Sequence, residues 1–71
     1  NVQITYARLN YLPRAASLAD ELKEELGATV TLVKSRGGIF DVHVDGQLVF
    51  SKHAVDRHAS PGEVLGLIRE P

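Results

Sequence analysis

Apolar and polar residues alternate strictly from Asn1 to Tyr6, with Val2, Ile4 and Tyr6 apolar and Gln3 and Thr5 polar, which predicts a strand with one buried face. The period then changes. Between Asn10 and Leu26 the residues Leu12, Ala15, Ala16, Ala19, Leu22 and Leu26 fall three or four apart and form one helical stripe. Asn10 is the expected N-cap, Pro13 suits the first turn, and Gly27 suits the left-handed position after the last turn. Thr29 to Lys34 is rich in β-formers, with Val30 and Leu32 on one face. Ser35-Arg36-Gly37-Gly38 breaks the chain. Ile39 to Val44 resumes it, with Phe40, Val42 and Val44 on one side.

Asp45-Gly46 is the strongest turn signal, since both residues tolerate the positive φ of a two-residue hairpin. Gln47 to Ser51 is the expected partner strand, with Leu48 and Phe50 on a common face. His53 to Ala59 is expected as a polar loop. Ser60-Pro61-Gly62-Glu63 has the spacing of a capping box with proline at the first helical position. Val64, Leu65, Leu67 and Ile68 are the expected buried stripe of a second helix. The order β-α-β-β-β-α describes a right-handed strand–helix–strand unit extended by a hairpin. The fold class is therefore α/β, a two-layer sandwich of a four-stranded mixed sheet and two helices.

The 71 residues are 44% hydrophobic and 24% charged. No repeat or linker-like stretch divides them, so one domain over residues 1–71 is expected. Eight Lys and Arg against nine Asp and Glu leave no positive excess for nucleic acid or an anionic membrane. No apolar run approaches the roughly 18 residues of a membrane span, and no signal-peptide pattern is seen. Cysteine is absent. A core this small, without a covalent staple, must depend on dense secondary structure or on a second subunit.

Several stretches, in this order and spacing, resemble the selenoprotein W-like Rdx family. They are Val2-Gln3-Ile4-Thr5-Tyr6, Asn10-Tyr11-Leu12-Pro13-Arg14-Ala15, Gly37-Gly38-Ile39-Phe40-Asp41-Val42, Asp45-Gly46-Gln47-Leu48-Val49-Phe50-Ser51-Lys52 and Ser60-Pro61-Gly62-Glu63-Val64. The resemblance implies a thioredoxin-like fold and a cytoplasmic protein. It also implies thiol–disulfide exchange, with no cofactor, on a protein or a low-molecular-weight thiol such as glutathione. In that family a tyrosine ending the first strand is followed by Cys-x-x-Cys or Cys-x-x-selenocysteine. The place suits a reactive thiol, because helix N-terminal amides lower a thiol pKa.

The motif is not intact here. Ala7 follows Tyr6 where the first cysteine is expected, and Arg8, Leu9 and Asn10 complete the turn. Counted back from Tyr11-Leu12-Pro13-Arg14, the second cysteine would fall between Leu9 and Asn10, where the chain is one residue short. Three accounts stay open: loss of the motif, a Cys→Ala change, or a modified residue omitted from the sequence. Methionine is also absent, which is compatible with omission. As the sequence stands there is no nucleophile. The second reading is accordingly a redox-inactive binding module that retains a docking surface at Tyr11, Gly37, Gly38, Phe40, Arg57 and His58. A monomer or weak homodimer is expected, and enzyme status stays open.

Other chemistries find less support. His43, His53 and His58 would need to converge with a carboxylate such as Asp56 to hold a metal, and their spacing forms no zinc signature. No metal site is therefore expected, and the histidines read as solvated or interface residues. Asp56-Arg57-His58-Ala59 replaces the Gly-Arg-Phe-Pro frequent in the family, so partner choice is expected to differ. Gly37-Gly38 beside Arg36 is a weak phosphate cradle and reads better as turn geometry. Asp20, Glu21, Lys23, Glu24 and Glu25 read as a solvated helix face. Ser17 and Ser60 have no base partner that would make a hydrolase. A KH-type RNA-binding domain would need a basic Gly-x-x-Gly loop, which this chain lacks.

Overall fold

In the computed structural model, residues 1–7, 9–60 and 62–69 are described, Leu9 by its backbone alone. Four strands, β1 (Val2–Tyr6), β2 (Val30–Lys34), β3 (Phe40–Val44) and β4 (Gln47–Ser51), form one sheet in the order β2-β1-β3-β4. β1 lies parallel to β2, with Ile4 opposite Leu32, and antiparallel to β3, with Ile4 opposite Val42. β3 and β4 pair through the Asp45-Gly46 turn, whose φ values of 50° and 85° are the positive pair that a tight hairpin requires.

Helix α1 (Leu12–Leu26) follows a 3-10 turn over Leu9–Tyr11 and ends at Gly27 in the left-handed conformation, φ 63°. The core joins Val2 and Ile4 of β1, Phe40 and Val42 of β3, and Phe50 of β4. Tyr11, Ala15, Ala19 and Leu22 cover them from α1 and its entry turn. Small side chains at 15 and 19 let the helix lie close to the sheet. Val64 contributes from α3 (Glu63–Arg69). The fold is thus a mixed four-stranded sheet layered with helices.

Several local expectations are corrected. Among the described residues there are three α-helices where two were expected. Lys52–Val55 forms a single α-turn, α2, where a polar loop was expected, and it closes on Asp56 at φ 57°. The N-cap of α1 is Tyr11 and not Asn10, and it makes no side-chain cap hydrogen bond. The buried stripe runs through Tyr11, Ala15, Ala19 and Leu22, leaving Ala16 exposed and Leu12 and Leu26 each 36% exposed. Leu67 of α3 is likewise exposed.

A register shift between Val42 and His43 separates Leu48 from Phe50. Phe50 faces Val42 in the core, but Leu48 pairs with His43 and is 49% exposed, while Val49 packs against the core. Before α3, Gly62 has φ 78° and the Glu63 amide donates to the Ser60 carbonyl at 3.0 Å. A turn thus precedes the helix instead of a full capping box. Half of that box is present, since the Ser60 amide donates to Glu63 Oε1 at 2.9 Å. The expectation for Pro61 falls outside the described residues.

Candidate functional site

The ends of β1, β2 and β4 and the start of β3 share one edge of the sheet, so the segments leaving them are brought together. This is the side on which open α/β sheets gather ligand-binding loops. Beyond β1, the Ala7 amide donates to the Ile39 carbonyl at 3.0 Å; beyond β2, the Ser35 amide donates to the Tyr6 carbonyl at 2.7 Å. The turn between β1 and α1 is therefore laced to the Gly37-Gly38 loop. Those glycines hold φ of 76° and 68°. A Cβ on Gly37 would meet only Ile39 Cγ2 at 4.0 Å, so glycine there serves the backbone turn.

Helix α2 adds a third wall. His53 Nε2 donates to the Gly37 carbonyl at 3.1 Å, which fixes a proton on that nitrogen. Lys52 Nζ sits 5.9 Å above the Tyr11 ring. Further on, His58 meets Tyr11 edge-to-face at 4.8 Å and Phe40 at 5.7 Å, and those two rings meet each other at 6.3 Å. Burial, and then the positive charges of Arg14 and Lys52, push His58 below its ordinary pKa, so its neutral form is favoured at neutral pH.

A two-pronged ion pair holds the segment carrying His58. Arg57 Nη1 and Nη2 donate to Glu63 Oε1 and Oε2 at 2.6 and 2.8 Å, and Nη1 also donates to the His58 carbonyl at 3.2 Å. The Arg57 bonds, joined by the Ser60 amide, hold the Glu63 carboxyl at a pKa of about 2.

The predicted docking residues divide. Of the residues named for a docking surface, Tyr11 and Phe40 are buried, at 9% and 3% exposure, because the two rings and His58 pack against one another. Gly37 and Arg57 are exposed, whereas Gly38 and His58 are half-buried. Ala7 is half-buried and Asn10 exposed at the β1–α1 turn, while Arg8 and the Leu9 side chain lie outside the described residues. His43 sits on β3 opposite Gln3. Among the described residues, no three His, Cys, Asp or Glu side chains are grouped to hold a metal.

Sequence reasoning missed the Arg57–Glu63 pair; Glu63 carried a capping signal, but Arg57 carried none. It also missed a cleft of about 470 Å³ between α1 and the segment joining α2 to α3. The signal available was the row Arg14, Ser17, Leu18 and Glu21 along one side of α1.

The parallel β1–α1–β2 unit, the hairpin and the strand-to-helix turn at one sheet edge define a two-layer α/β protein with a thioredoxin-like fold. A model of the Rdx family matches residues 1–70, and the chain belongs to that family. The structure is similar to the crystal structure of a protein from Bordetella parapertussis, with TM-score 0.89 and 27% identity over 97% of this chain and 92% of that one. It shares its fold with a selenoprotein W-related protein from Vibrio cholerae, with TM-score 0.89 and 22% identity over 97% and 91% of the two chains. No curated protein matches the chain.

Proposed function

We propose that the protein is a thiol–disulfide redox protein acting at the turn between β1 and α1. Its partners are proteins or low-molecular-weight thiols such as glutathione, and its compartment is the cytoplasm. The observation that carries this reading is membership of the Rdx family over residues 1–70. The turn supports it physically. Through the 3-10 turn at Leu9–Tyr11 it leads into a 15-residue helix whose N-terminus has no side-chain cap hydrogen bond, and the positive end of that dipole favours a thiolate at the turn.

The family chemistry needs residues that the sequence as it stands lacks, since it contains no cysteine. A thiolate at or near Ala7 attacks the partner disulfide, forms a mixed disulfide and expels one partner thiolate. A second thiol, placed between Leu9 and Asn10, then attacks the mixed disulfide. It expels the other partner thiolate and leaves an internal disulfide. Two electrons pass from the domain to its partner, and a low-molecular-weight thiol returns them.

Intact mass with a thiol and selenol count tests this reading, followed by disulfide reduction against a cysteine-free control. The expected result is a mass above that of the 71-residue chain, two titratable groups, either two thiols or a thiol and a selenol, and reduction above the control. A mass equal to that of the chain, without either group, overturns it.

The absence of cysteine favours one second reading, a redox-inactive module that binds partners through the same edge. Its partner capture is expected to ignore thiol state and to weaken on Arg57→Ala or Gly38→Val.

A further inference from the structure

The cleft between α1 and the segment joining α2 to α3 has features that the redox reading does not use. Its floor is apolar: Phe40 and Val64 are 3% and 1% exposed, and Leu18 and Ala59 are partly buried against the same core. Its volume, about 470 Å³, lies in the range of sites for small organic molecules.

Its charge is uneven. Arg14, on the first turn of α1, lines one end, is exposed and has no salt-bridge partner among the described residues. The uncapped N-terminus of α1 and Lys52 of α2 add to the positive field at that end. The other nearby charges, Arg57 and Glu63, neutralise each other. His58, on the cleft wall, feels Arg14 and Lys52 but faces no acid of its own. Glu21 lines the cleft seven residues along α1 from Arg14, a rise of about 10 Å.

We propose that this cleft binds a small apolar monocarboxylate, its carboxylate beside Arg14 and His58 and its apolar body on Phe40, Leu18 and Val64. Glu21 sets the class, because a second negative charge reaching the far end of the cleft meets a carboxylate. Neutral analogues lose the attraction of Arg14, and dicarboxylates meet repulsion. The site involves no thiol, so its test stands apart from the redox reading.

The test is an NMR titration of the full chain with phenylpropionate, alongside phenylpropionamide and the dicarboxylate suberate. Saturable shifts of the Leu18 and Val64 methyls and the His58 ring are expected. The bound anion offsets the repulsion at His58, so the pKa of its ring rises on saturation. Phenylpropionate is expected to bind at least about tenfold tighter than the amide or suberate. Arg14→Gln, a surface change whose dispersed spectrum verifies folding, should weaken the acid about tenfold and leave the amide unaffected. Glu21→Gln should improve suberate selectively. Equal binding of acid and amide, shifts centred elsewhere, no saturation, or an indifferent Arg14→Gln would each overturn the proposal.

Discussion

The Glu63 carboxylate accepts two bonds from Arg57 and one from the Ser60 amide. These lower its pKa from an ordinary 4.5 to about 2. A group whose pKa is depressed in the fold stabilises it fully above the unfolded value and loses that contribution as pH falls through the folded one. Glu63→Gln is therefore expected to lower the urea midpoint at pH 7. Its difference from the parent should shrink below about pH 4.5 and nearly vanish by about pH 2. His58 follows the same rule from a higher start, because its folded pKa lies below the ordinary 6.5. Its contribution is complete above that value and declines as pH falls below it. His58→Phe keeps an aromatic edge against Tyr11 and Phe40, and is expected to remove this upper, mildly acidic step from the stability profile. Urea midpoints measured from pH 8 to pH 2 separate the two groups.

At the scale of elements, the β3–β4 pair makes the sharpest distinction. Phe50 is 4% exposed and faces Val42, so Phe50→Ala is expected to cost about 3–5 kcal/mol. Leu48, half-exposed across from His43, should cost no more than about 0.5 kcal/mol on truncation to alanine. Urea titrations of the two variants check this: Phe50→Ala should weaken or lose its cooperative transition, whereas Leu48→Ala should keep a midpoint near the parent's, and equal losses would contradict the shifted register. The same hairpin shows what a sequence can and cannot disclose. Its strands and turn were legible, because alternation and Asp45-Gly46 are local signals. The bulge was not, since alternation within a strand says nothing about the register of its partner. Helix α2 was hidden because four residues carry no helical period. The burial of Tyr11 was not legible either, since only packing brings Phe40 and His58 against it. For the site, the β1–α1 turn and the glycine pair could be found from the sequence. The cleft showed only its α1 side, the row from Arg14 to Glu21, because that row and His58 to Val64 meet only once the helices are seated.

For the molecule as a whole, one small core bears most of the stability. Leu22 is 0% exposed and sits between α1 and the sheet, and Leu22→Ala is expected to cost about 2–5 kcal/mol. A domain this size has only a few kcal/mol in total, so circular dichroism followed on heating should show loss of the cooperative melt. The sheet order has a consequence for biosynthesis. β1 is translated before the other strands but occupies an inner position, flanked by β2 and by β3, which ends at Val44. Until translation has passed that residue, β1 lacks one of its two neighbours, and Val2 and Ile4 lack the full cover they have in the native sheet. This interval is when a nascent-chain chaperone would find its binding segment, and when an early translational stall would release a fragment with an adhesive strand.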